Sequence, residues 1–103
     1  MSPGGNAGAE QSISVSCEPM GQAWTCRVVI GDDPGATTHE VTLSPASARD
    51  LRGALSPQAL VEESIRFLLE REPRESVLPR FEISEIERYF PEYTVEMLRR
   101  NRR

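Results

Sequence analysis

From Ile13 to Leu43, apolar and polar residues alternate with a period of two, the pattern of strands with one buried face and one wet face. Ile13, Val15 and Cys17 share one face of a first strand. Trp24, Cys26, Val28 and Ile30 share one face of a second, with Thr25 and Arg27 opposite. Val41 and Leu43 lie on one face of a third, with Thr38, Glu40 and Thr42 on the other. The breaks, Glu18-Pro19-Met20-Gly21-Gln22 and Gly31-Asp32-Asp33-Pro34-Gly35-Ala36, are rich in turn formers. Such short connections predict an antiparallel meander. A sheet of three strands needs a cover over its apolar side.

After Leu43 the period lengthens to that of helices. Ser44-Pro45 and Ser56-Pro57 each set a capping hydroxyl before a proline suited to the first helical position. The first pair predicts a short helix over 45–52, stopped by Gly53. The second predicts a longer one over 57–71, with Leu60, Val61, Ser64, Ile65, Leu68 and Leu69 on one face and Glu62, Glu63, Arg66 and Glu70 outward. Ser84-Glu85-Ile86-Glu87 reads as a capping box between Ser84 and Glu87. It opens a helix that carries Ile86, Tyr89 and Phe90 and halts before Pro91. Thr94 then caps a last helix with Val95, Met97 and Leu98. The predicted fold is α+β: a three-stranded antiparallel meander followed by three to four helices packed on one sheet face. Residues 1–11 form a flexible N-terminal tail, 12–98 a single domain with one core, and 99–103 a basic C-terminal tail.

Composition narrows the function. The chain has 103 residues, a formal net charge of -4 and 38% hydrophobic residues, as expected of one soluble domain. All 12 basic residues are arginine, a composition of GC-rich coding that points to a bacterial source. No apolar run reaches the roughly 18 residues of a membrane span, and the first residues lack the pattern of a signal peptide. The expected compartment is therefore the cytoplasm, with Cys17 and Cys26 reduced. A hairpin turn near residues 20–21 sets Trp24 opposite Cys17 and Val15 opposite Cys26, so the two thiols are expected to lie diagonally on the core face as buried structural cysteines. The acidic balance argues against nucleic acid and anionic membranes as partners. Arg99, Arg100, Arg102 and Arg103 are the local exception. They complement a helix C-terminus, or alternatively contact phosphates.

Candidate chemistry is sparse. His39 is the only histidine, too few ligands accompany it for a metal site, and no metal or other cofactor is expected. The serines that a hydrolase would need stand at helix caps (Ser44, Ser56, Ser84). The sequence contains no nucleophile elbow, phosphate-binding glycine loop or zinc-protease motif. The chain is therefore read as a non-catalytic domain. Its least ordinary stretch is 77–93, which holds four of the six aromatic residues. These rings either pack over the open end of the core or form a patch for another protein chain, a second copy included. Arg80, Phe81, Tyr89, Phe90 and Tyr93 are the candidate contacts, since Tyr, Phe and Arg are enriched at interface cores.

Glu40-Val41-Thr42-Leu43-Ser44-Pro45, a short helix, a glycine and then Ser56-Pro57-Gln58-Ala59-Leu60 together resemble the ribbon-helix-helix repressors and antitoxins over about residues 40–71. That resemblance implies a dimer whose paired strands enter the DNA major groove, with the C-terminal arginines among its phosphate contacts. The run from Arg80-Phe81-Glu82-Ile83 to Tyr89-Phe90-Pro91-Glu92-Tyr93 is also similar to small uncharacterised bacterial proteins, which implies no activity.

Overall fold

The computed structural model describes residues 11–51, 53 and 55–100. Three strands, β1 (Ile13–Met20), β2 (Ala23–Ile30) and β3 (Thr37–Leu43), precede helices α1 (Pro45–Leu51) and α2 (Pro57–Leu69). A short strand β4 (Arg80–Glu82) and helices α3 (Ile86–Tyr89) and α4 (Tyr93–Arg100) complete the order. The α+β class and the covering of one sheet face are as the sequence predicts. The sheet, however, has four strands in the order β1-β2-β3-β4, and β4 runs parallel to β3. A three-residue strand after Pro79 is too short to display an alternating period. Its place comes from tertiary pairing, with the Glu40 N–H donating to the Pro79 carbonyl at 2.8 Å. Both edges of β3, the strand in the ribbon-helix-helix resemblance, are thereby paired within the chain.

The first hairpin turns at Gly21-Gln22, one residue later than predicted. Gly21 has φ 63° and no non-glycine residue among the described residues has positive φ, which fits a tight turn with glycine at its first central position. That shift changes the register: Cys17 faces Cys26 directly, and Trp24 faces Pro19. The two cysteines form a disulfide with a Cα separation of 4.0 Å, so the expectation of free thiols is corrected. Side chains directly across an antiparallel pair approach closely enough to bond, which diagonal neighbours do not.

The core forms between the inner sheet face (Cys26, Val28, Ile30, Val41, Leu43, Phe81) and α2 (Leu60, Val61, Ile65, Leu68, Leu69). On the other side of α2, Phe67 lies edge-on to Tyr93 of α4 at 5.2 Å and Ser64 bonds its hydroxyl, and all three are buried, as is Met97. Ile13, Val15 and Trp24, expected in the core, are only partly buried at the sheet margin. Ser56 caps α2, accepting from the Ala59 N–H at 3.1 Å. Ser44 likewise accepts from Ser47 N–H in α1 at 3.1 Å. The third predicted start is corrected. The capping box joins Glu82 to Glu85 around a 3-10 turn at Ile83–Glu85, two residues ahead of the predicted Ser84–Glu87 pair. Thr94 lies inside α4, which begins at Tyr93.

At the described ends, the innermost residues of the predicted tails are held by the fold. Gln11 accepts from the Arg74 guanidinium at 2.7 Å, and α4 extends through Arg99 and Arg100. The rest of both tails, 1–10 and 101–103, lies outside the described residues.

Candidate interaction surface

The segment from Val77 to Tyr93 divides its side chains between core and surface. Phe81 sits on β4 beside Val41 and points inward, 7% exposed. Tyr93 is fully buried. Its hydroxyl donates to Ser64 Oγ at 2.7 Å, because that oxygen spends its own proton on the Leu60 carbonyl at 2.9 Å. Burial, only partly offset by the Ser64 bond, drives the Tyr93 hydroxyl well above its ordinary range of titration. Phe81 and Tyr93 are therefore core residues rather than exposed side chains. Arg80, on the opposite face of β4, is solvent-facing and lies 3.5 Å from Glu40. Phe90 is half-buried, its ring edge-on to Phe67 at 6.0 Å. Tyr89 is 65% exposed.

Around Tyr89 and Phe90 the sequence reading missed a groove. Leu68, Val77, Leu78, Phe81 and Ile86 form its apolar floor and wall, and Glu72, Ser76 and Glu85 supply its polar atoms. Its volume is about 360 Å³. The groove forms because α2 ends at Leu69, the chain makes a 3-10 turn at Arg74–Ser76 to reach β4, and α3 follows after one more turn. Three short elements meeting at one helix end leave a gap that no side chain among the described residues fills. The carboxylic side chains lining it are Glu72 and Glu85, and no basic side chain lines it among the described residues. Glu85 accepts from the Glu82 N–H at 3.4 Å. Among the described residues, no basic side chain pairs with Glu72, and burial pushes its carboxyl above the ordinary value.

The other candidates are occupied by structure. His39 is buried between β3 and the segment before β4. Its Nδ1 donates to the Leu78 carbonyl at 2.8 Å, and Nε2 shares a 2.8 Å bond with Thr37 Oγ1. The carbonyl accepts only, which assigns the Nδ1 proton. Both ring nitrogens are thus engaged, and the imidazole holds the wall of the groove by way of Leu78. Among the described residues no group of three or more His, Cys, Asp or Glu is placed to hold a metal, and no helix is long and apolar enough to cross a membrane.

Arg100 reaches Glu63 at 3.4 Å, Glu70 at 2.9 Å and Glu96 at 2.8 Å, clamping α4 to α2. Arg99 pairs with Glu96 at 2.6 Å yet remains 72% exposed. As phosphate contacts, Arg100 would have to leave three carboxylates, while Arg99 is held by one. Arg102 and Arg103 lie outside the described residues. Compared with protein-family models, curated protein sequences and solved structures, the chain matches none.

Proposed function

We propose that the chain is a non-catalytic protein-interaction domain whose binding surface is the groove between the end of α2, the segment before β4, and α3. The observation that carries this reading is the joining of Leu78, 42% exposed, and Tyr89, 65% exposed, to an unfilled apolar cavity. Large side chains left in water beside a concave apolar floor are the arrangement by which one protein receives another's apolar side chains. Tyr89 also brings a hydroxyl, which gives the rim a polar handle at little conformational cost.

The reading differs in one respect from the aromatic patch expected from sequence. Phe81, Tyr89 and Phe90 remain contacts, while Leu78 and Ile86 take the places of Arg80 and Tyr93.

Selection of peptides from a random library displayed on phage tests it. The chain is expected to enrich peptides with an aliphatic or aromatic anchor, and Tyr89→Ala is expected to lose that enrichment while keeping the melting temperature. Enrichment that survives both Tyr89→Ala and Leu78→Ser would place the binding surface elsewhere.

A further inference from the structure

Among the described residues, five large apolar side chains are exposed: Met20, Leu78, Tyr89, Val95 and Leu98. Met20 stands alone at the first hairpin. The other four fall into two groups of opposite shape. Leu78 and Tyr89 rim the groove, and Val95 and Leu98 project from α4.

On α4, the buried residues Tyr93 and Met97 and the clamped Arg100 occupy one side. Residues 95, 98 and 99 then fall on the side facing away from the core, because i, i+3 and i+4 positions share a helix face. That outer face is convex, apolar and basic, with Arg99 next to Leu98. The groove is concave, apolar and acidic, with Glu72 and Glu85. The two surfaces complement each other in shape and charge, yet one copy cannot join them to itself, since α4 is fixed on α2 by Tyr93, Met97 and Arg100.

Resting on the reading of the groove as a protein-binding surface, we propose that its occupant is α4 of a second copy of this chain. Val95 and Leu98 enter the apolar floor, and Arg99 lies against Glu72 and Glu85. Arg99 exchanges its exposed bond with Glu96 for this contact, and such exposed i,i+3 pairs contribute little to stability. Glu72, set in an apolar surround without a cation among the described residues, gains the opposite charge. Tyr89 and Phe90 of the groove immediately precede the turn into α4. Two copies related by a two-fold axis therefore give each other their helices, closing a dimer in which the contact is made twice.

Sedimentation equilibrium of the full chain over a range of concentrations is the test. A species of twice 11.5 kDa is expected. Arg99→Glu and Glu72→Arg are each expected to weaken association by about tenfold or more, and combining them in one chain is expected to restore it. Val95→Glu, on a side chain 71% exposed in the single copy, is expected to give a folded monomer, which covers the case of a Glu72→Arg chain that fails to fold.

A chain that stays monomeric throughout would overturn the self-docking. So would a dimer indifferent to Val95→Glu and Arg99→Glu. Either result leaves the groove reading intact if the selected peptides still require Tyr89; peptides that ignore Tyr89 would remove that reading separately.

Discussion

Glu82, at the end of β4, bonds both the start of α1 and the turn that follows β4. One carboxylate oxygen accepts from the Ser44 N–H at 3.0 Å and Ser47 Oγ at 3.2 Å, where α1 begins. The other accepts from the Ser84 N–H at 2.9 Å and from the Ser84 hydroxyl. Burial works to raise its carboxyl pKa, but the bonds from Ser84 and Ser44 outweigh it and hold the group ionised below its ordinary value. Every one of these partners is a donor. Glu82→Gln turns one oxygen into an NH₂ group facing donors, and is expected to cost about 1–3 kcal/mol in urea unfolding. Glu82→Asp, a carboxylate too short to reach both ends, should lose stability as well.

A second residue-level case is Arg74, whose guanidinium binds Asp33 through two bonds of 2.8 and 2.9 Å over the β2–β3 loop. A Cβ on Gly35 would stand 2.5 Å from the Arg74 Nη2, against ordinary contact of 3.4 Å or more. Gly35→Ala is therefore expected to destabilise the wild-type chain and to be nearly neutral in an Arg74→Ala background, a coupling that a double-mutant cycle reads directly.

Between elements, the clearest device is the disulfide that joins β1 to β2. It closes a sequence separation of nine, for which the chain-entropy account gives about 2–3 kcal/mol. A Cys17→Ala/Cys26→Ala chain is expected to unfold at correspondingly lower urea, and a reductant should bring the native chain to nearly the same midpoint. Equal midpoints for native and variant chains without reductant would show that the hairpin needs no cross-link. Strands β1, β2 and β3 and both serine-capped helices were legible in the sequence because their signals are local: period two, turn residues, and Ser-Pro at a helix start. The disulfide was not, because it depends on a one-residue shift of the turn to Gly21-Gln22, and register is a property of paired strands. Phe67 shows a similar limit. It lies three residues after Ser64 and seven after Leu60, so the helical spacing was there. Its burial follows from α2 packing against the sheet on one side and α4 on the other, which widens the apolar stripe beyond the single face that the periodicity suggests. The groove was less legible still, since Leu78, Ile86 and Glu72 meet only after β4 pairs with β3.

At the scale of the whole molecule, charge links these contacts to pH in two separate windows. Asp33 bound by Arg74, Glu92 bonded to its own backbone and to Arg71, and Glu96 bound by Arg100 and Arg99 all have carboxyls held below their ordinary values, as does Glu82. For a group with a lowered folded pKa, the stability it contributes is complete above the unfolded value, here 3.8 for Asp and 4.5 for Glu. That stability is lost as pH falls through the folded value. Glu72 has the opposite sign, since its raised carboxyl favours folding more at low pH. With four groups acting against one, acid is expected to destabilise the chain below about pH 4.5. The alkaline limb belongs to Tyr93. Its buried hydroxyl titrates above the unfolded value of 10.0, so its contribution is full below pH 10 and is lost as pH rises toward the folded value. Urea unfolding from pH 3 to pH 11 is expected to give a plateau bounded on both sides. Tyr93→Phe should lower that plateau by about 1 kcal/mol for the lost hydroxyl bond and flatten the alkaline decline while leaving the acid one unchanged. An alkaline decline that persists undiminished in Tyr93→Phe would assign it to a different group and remove the Ser64–Tyr93 contact from the account of how α4 is held.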